Sequence, residues 1–252
     1  MRSVLVTGAS SGVGRATARA FAECGDIVAV HYSTNRCGAE QTLSSLAGGG
    51  HTIVCGDIGN PTEARRIVDE AAAELGALDV LVNNAAVAPT HELRHPIADV
   101  AYDSWCAVWE RMIGVNLLGA GNVAWAAVQH MINRGGGRIV NVGSRGAFRG
   151  EPEYPAYGAS KAALHALGQS LAVALAPYNI GVTSVAPGFI ASERQEVRLR
   201  GEDGMALRHQ SPFDRVGTPD EVASAIVYLA SPQAEWASGA ILDLNGASYL
   251  RT

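Results

Sequence analysis

Seven short runs rich in β-branched residues recur along the chain, and between them lie longer stretches with helical spacing. The runs are SVLVT (3–7), IVAVHY (27–32), HTIVC (51–55), DVLVN (79–83), RIVNV (138–142), GVTSVA (181–186) and AILDL (240–244). They are near-continuously apolar, which is how parallel strands covered on both faces read. The stretch 14–25 carries Ala16, Ala20, Phe21 and Cys24 on one helical face, and 61–76 opens on Pro61 and closes on Gly76. Repeated strand–helix alternation predicts βαβ units and an α/β, Rossmann-like, doubly wound parallel sheet of about seven strands with helices on both faces. No linker or repeat divides the 252 residues, so 1–252 reads as a single domain. One segment breaks the rhythm. Residues 188–215 are polar, arginine-rich and poorly periodic, the pattern of a substrate lid loop.

Composition excludes several classes of function. A net charge of −5 with no basic stripe gives no reason to bind nucleic acid. No apolar run approaches the ~18–20 residues needed to span a membrane, and the N-terminal run is too short for a signal peptide. Cys24, Cys37, Cys55 and Cys106 are widely spaced, without a C-x-x-C pair. They read as free, mostly buried thiols in the reducing cytoplasm.

Directly after the first strand comes TGASSGVG (7–14), with Gly8, Gly12 and Gly14 opening the first helix. Glycine lets the backbone approach a pyrophosphate, and the helix N-terminus offers free N–H groups with a partial positive charge. The turn is therefore a candidate dinucleotide site. An NAD-type site places an acid about 20 residues further on to hold the ribose 2′-OH. No Asp or Glu occurs from Ile27 to Ala39; Tyr32, Ser33, Thr34, Asn35 and Arg36 lie there instead. Hydroxyls and a guanidinium suit a 2′-phosphate, which favours NADP(H) over NAD(H). Ser11, inside the turn, supplies no positive charge.

Lys161 is the only lysine of the chain, and it stands four residues after Tyr157. On a helix over 155–176 the two lie one turn apart on one face. A free phenol with a pKa of ~10 is a poor acid or base at neutral pH, and a nearby ammonium is expected to lower it. A surface i, i+4 pair is the alternative reading of such spacing.

The surroundings favour chemistry. Ser144 ends the fifth strand, Asn83 and Asn84 end the fourth, and Asn116 lies inside a long helical stretch. With TGASSGVG at 7–14, Asp57-Ile58, NNAA at 83–86, Asn116, Ser144, YGASK at 157–161 and PGFIAS at 187–192, the whole chain resembles the short-chain dehydrogenase/reductase family. Among its members the likeness is greatest to 3-oxoacyl-carrier-protein reductases. The resemblance implies that Tyr157 is the general acid/base and that Lys161 lowers its pKa and bonds the nicotinamide ribose. It implies that Ser144 donates to the carbonyl oxygen and that Asn116 holds a relay water. Cofactor contacts are implied at Thr7, Gly8, Ser10, Ser11, Gly12, Val13 and Gly14 of the turn, and at Asp57 and Ile58 for the adenine. Asn83 and Ala85 would line the ribose side, and Pro187, Gly188, Ile190 and Ser192 the carboxamide side. A homotetramer or homodimer is implied as well, with the apolar stretches 112–132 and 162–176 available for a helix–helix interface. The implied activity is NAD(P)(H)-dependent interconversion of a carbonyl and a secondary alcohol. A catalytically idle dinucleotide-binding sensor or scaffold is the alternative.

Three local features stand apart from the family pattern. Ala86 and Ala247 replace usual glycines, and Ala247 is expected to shift the C-terminal loop. HELRH (91–95) matches the H-E-x-x-H zinc pattern, which needs both histidines on one helical face. Pro96 disfavours that conformation for His95, so the segment reads as a polar loop near the cleft, with no metal. Arg194, Arg198, Arg200 and Arg208 crowd the lid among Glu193, Glu196, Glu202 and Asp203, which suits either an anionic substrate or self-pairing. Arg145, next to Ser144, is the sharper candidate for a substrate contact.

Overall fold

The computed structural model describes residues 1–195, 199 and 202–251. Seven strands form one parallel sheet in the order β3-β2-β1-β4-β5-β6-β7. They are β1 (Ser3–Val6), β2 (Ile27–Tyr32), β3 (Thr52–Cys55), β4 (Val80–Asn83), β5 (Gly137–Val142), β6 (Ile180–Pro187) and β7 (Ile241–Leu244). Each expected strand is present to within a residue or so at either end. Ladder registers such as Val4↔Val28 and Val4↔Val80 place β1 between β2 and β4. The chain order reverses between β1 and β4, so the loops after these two strands flank the crevice where open α/β sheets bind ligands.

Two apolar layers explain why the strands are apolar on both faces. One face packs against α1 (Gly12–Glu23), α2 (Arg36–Ser44) and the helix Pro219–Leu229, through Phe21, Val30, Val140 and Ile226. The other packs against α3 (Pro61–Leu75) and, further along the chain, α5 (Ala120–Arg134) and α7 (Pro155–Leu175), through Leu5, Ile67, Leu81 and Met131. Pro61 sits in the first turn of α3, and Gly76 at φ +74° ends it. The helix α4 (Tyr102–Ile113) runs into α5 through a π-helical turn, Gly114–Gly119, and α6 (Gly146–Arg149) is a single turn after β5.

Two expectations need correction. The cysteines are free but not mostly buried: Cys24, Cys37 and Cys55 are exposed and Cys106 partly so. They fall at a helix end, a helix start and the end of the sheet's edge strand, where the chain meets solvent. The segment 188–215 is not loop throughout, since it contains a 3₁₀ turn, Glu193–Gln195, and a helix, Glu202–Arg208. In this short helix Gly204 and Leu207 are buried, while its charged residues give it the look of a loop in the sequence. Among the described residues no helix is long and apolar enough to cross a membrane.

Candidate active site

The turn after β1 is built around Thr7. Its Oγ1 donates to the Val82 carbonyl at 3.1 Å and accepts the amides of Asn84 and Ala85 at 2.9 and 3.0 Å. Asn84 returns its own Nδ2 to the carbonyls of Thr7 and Gly8. Gly8 adopts φ +64°, and a Cβ there would lie 2.8 Å from Ala85 Cα; one on Gly14 would lie 2.4 Å from the Gly8 carbonyl. Both glycines are therefore required by sterics. The Gly8 amide donates to His31 Nδ1 at 3.0 Å, and His31 Nε2 meets the Gly56 carbonyl at 3.0 Å. A carbonyl only accepts, so the proton sits on Nε2 and the ring is neutral. Burial pushes its pKa down to about 4. His31 thus ties the turn to β2 and β3, a role that a lone histidine in an apolar strand does not advertise.

This turn fits a dinucleotide's phosphates on its own evidence. Ser11, the N-cap of α1, makes no side-chain cap bond, and no acid stands in the helix's first turn. An anion is already drawn there: Glu193 Oε2 accepts the Gly12 amide at 3.0 Å, and Glu193 Oε1 pairs with Arg15 at 2.7 Å. Ser10 offers its carbonyl to the same Arg15, and Val13 packs into the core beneath. Ser192 lies over Gly12, 3.3 Å from where a Cβ would be.

The remaining expected cofactor residues divide in two. Ser33, Thr34 and Arg36 are exposed beyond β2, while Tyr32 is buried. Arg36 pairs with Glu40 at 2.8 Å, so its charge is already matched. Asp57 is exposed and caps Gly59, while Ile58 turns its side chain into the core. Asn83 is buried and points inward, to Asn141 at 3.1 Å and the Ala120 carbonyl. Gly188 is held against Leu244, and Pro187 accepts the Arg145 amide. Ile190 bridges to Gly217.

Asn116, Ser144, Tyr157 and Lys161 converge above the ends of β4 and β5. Asn116 is buried within the π-helical turn. Its Oδ1 accepts the Val87 amide at 2.7 Å and its Nδ2 donates to Ser160 Oγ at 3.1 Å, joining the β4 loop to α7. Ser144 Oγ accepts the Gly146 amide at 3.0 Å, which leaves its own proton to give. Lys161 is buried and donates to the Val142 carbonyl at 2.7 Å.

The electrostatics differ from the expectation that the amine depresses the phenol. Lys161 Nζ stands 6.0 Å from the Tyr157 ring centre, turned toward Val142. Burial holds Tyr157 above the usual phenol range, with a hydrogen bond from Ser144 acting the other way. Burial also pulls Lys161 down to about 8. In this state Tyr157 is a retained proton rather than a phenolate.

His95 is fully buried, while His91, Glu92 and Arg94 of the same segment are exposed, as a polar loop requires. His91–Leu93 is a single 3₁₀ turn rather than the helix zinc ligation needs, and both His95 ring nitrogens are engaged within the protein. Arg145 is buried as well. Its guanidinium donates to Ser248 Oγ and Gln210 Oε1, at one wall of a cavity of about 270 Å³ lined also by Phe189, Leu207 and Asp243. Among the described residues it has no acidic partner. Arg208 binds the Leu199 carbonyl. Glu196, Arg198 and Arg200 lie outside the described residues, as do the side chains of Arg194, Glu202 and Asp203.

A family model described as enoyl-(acyl carrier protein) reductase matches residues 8–246. The chain is 35% identical over 253 residues to an L-rhamnose 1-dehydrogenase (NAD(P)(+)) of a Sphingomonas species, covering 99% of this chain and 96% of that one. It is 38% identical over 251 residues to the cis-4-hydroxycyclohexanecarboxylate dehydrogenase of Sinomonas cyclohexanicum, covering 97% and 95%. The crystal structure of a short chain dehydrogenase from Burkholderia cenocepacia in complex with NADP superposes with a TM-score of 0.87 at 29% identity, covering 98% of this chain and 97% of that one.

Proposed function

The chain belongs to the short-chain dehydrogenase/reductase family, and from that premise we propose that it interconverts a carbonyl and a secondary alcohol with NADP(H), ahead of NAD(H), as the dinucleotide. One observation carries the reading: a proton-bearing phenol, a serine hydroxyl that donates to it and a buried amine lie close together, in a fold whose glycine turn already draws an anion. The dinucleotide supplies or takes up the hydride. Everything else falls to the chain.

Tyr157, held protonated by its surroundings, gives that proton to the substrate oxygen in reduction and takes it back in oxidation. Ser144 donates to the same oxygen as charge develops on it. Lys161 brings a positive charge to the site and, turning from Val142, is free to meet ribose hydroxyls. Asn116 fixes the β4 loop against α7 so that the distance between turn and phenol is set. Thr7 and Asn84 hold the turn itself. The preference for NADP(H) rests on the absence of an acid between Ile27 and Ala39, since Arg36 is engaged by Glu40.

For the substrate, Ser144, Arg145 and Tyr157 are the contacts we propose. A buried guanidinium that forms no ion pair among the described residues, on a cavity wall, suits a carbonyl compound that carries a carboxylate or a thioester-linked acidic arm, a 3-oxoacyl group on a carrier protein among them. Exposed Trp125 on α5 and Val173 on α7 suit a homodimer or homotetramer.

The test is loss of NADPH absorbance against a panel of neutral ketones, keto acids and 3-oxoacyl thioesters, with Tyr157→Phe alongside. Turnover on at least one class, cut by about 10²–10⁴-fold in Tyr157→Phe at unchanged NADPH affinity, is the expected result. A flat trace on every class despite tight NADPH binding overturns the reading in favour of a sensor.

A further inference from the structure

The helix α7 carries both Tyr157 and Lys161 near its start, so whatever fixes its first turn fixes them. A helix leaves its first N–H groups without partners inside the helix. Here Pro155 has no N–H, and the amides of Tyr157 and Gly158 reach back to the Tyr154 carbonyl at 3.0 and 3.2 Å. The amide of Ala156 is the remaining donor. The N-cap residue Tyr154 supplies no side-chain acceptor. The acceptor comes from 61 positions away: Ala156 N–H donates to His95 Nε2 at 3.0 Å.

The tautomer follows from geometry. His95 Nδ1 lies 2.7 Å from the Leu93 carbonyl, which only accepts, so the proton is on Nδ1 and Nε2 carries the free lone pair. The ring is locked from other sides too. Its own amide donates to the Glu153 carbonyl at 3.0 Å, Trp105 and Tyr154 meet it edge to face at 5.8 and 6.3 Å, and Arg94 pairs with Glu153. Ala156 and Tyr157 then pack with Val108, Met112 and Leu93 in a small satellite core.

We propose that His95 is a positioning residue for Tyr157: as a neutral acceptor it caps α7 and holds the turn from which the phenol projects. The proposal rests on the reading of Tyr157 as the acid/base of the reaction.

The test uses the full chain with His95→Leu, which keeps bulk without an acceptor, and His95→Gln, whose amide oxygen accepts. Amide exchange of the 155–161 segment without dinucleotide, NADPH affinity by fluorescence, and kcat and KM are measured in each. In His95→Leu, exchange at Ala156 should rise and kcat should fall, each by about tenfold, with NADPH affinity within twofold. His95→Gln should restore both. Wild-type kcat in His95→Leu, or a loss that His95→Gln does not recover, overturns the proposal. So does a matching loss of NADPH affinity. Unprotected Ala156 exchange in the wild type overturns it even if His95→Leu fails to fold. Full turnover in Tyr157→Phe would instead sink the acid/base reading, with the exchange arm still deciding the cap.

Discussion

Glu193 lays its carboxylate on the amide of Gly12, Oε2 to N at 3.0 Å, while its other oxygen pairs with Arg15. The carboxylate therefore stands where a dinucleotide phosphate would seek the same donor. On the proposed function, dinucleotide binding displaces it, and opening this contact lowers the net affinity. Glu193→Gln keeps the size and removes the charge. It should bind NADPH about 3- to 10-fold tighter in a fluorescence titration. Weaker or unchanged binding would mean that the contact does not compete.

Lys161 gives a pH signature. Burial lowers its pKa to about 8, so the amine is charged below that value and neutral above it. The ratio kcat/KM for the dinucleotide reports the free enzyme. It should fall as pH rises through about 8. Lys161→Arg keeps its charge over the whole range, so it should be slower but lack that fall. A wild-type profile flat across this window contradicts the assignment.

The sheet was legible because parallel strands write themselves as apolar runs, and the candidate site because Tyr157 and Lys161 share one helix at one-turn spacing. What sequence could not show were the contacts between distant segments. Glu193 meets Gly12 across 181 positions, and His95 meets Ala156 across 61. Neither has a local signal: a histidine beside a proline and a glutamate in a charged segment read as solvated residues. The direction of the Tyr157 shift was missed for a related reason. Spacing brings the amine near, but Val142 supplies a carbonyl that turns it aside, and burial, invisible in one sequence, then dominates.

His31 and His165 bear on acid stability. Both are buried, and both have pKa values lowered from 6.5 to about 4, chiefly by burial. At His165 a hydrogen bond with the Ser144 backbone acts the other way but is outweighed by burial. The unfolded chain takes up these protons below pH 6.5 and the folded chain only near pH 4, so protons favour unfolding between the two values. Stability should fall as pH drops through this window, by about 2 kcal/mol per histidine at pH 5 relative to pH 7. Urea unfolding at the two pH values measures it. His165→Leu should remove its share of the slope; an unchanged slope would show that His165 is not held neutral.

Ala247 takes φ +57°, a left-handed conformation, directly after Gly246 at +58°. The alanine therefore stands in a left-handed turn that glycine adopts without strain. The turn is held in place around it: Asn245 accepts the Ser248 amide at 3.1 Å and donates Nδ2 to the Tyr249 carbonyl at 2.9 Å. An L-residue with a Cβ costs about 1–2 kcal/mol in this region, while glycine gives back about 0.5–1 kcal/mol through its freer unfolded chain. Ala247→Gly should therefore stabilise the protein by about 0.5–1 kcal/mol, raising Tm by about 2 °C in a calorimetric scan. Ser248, which receives the Arg145 guanidinium, would keep its place, so turnover should not change. A lower Tm for Ala247→Gly would show that the loop relaxes the alanine out of this conformation.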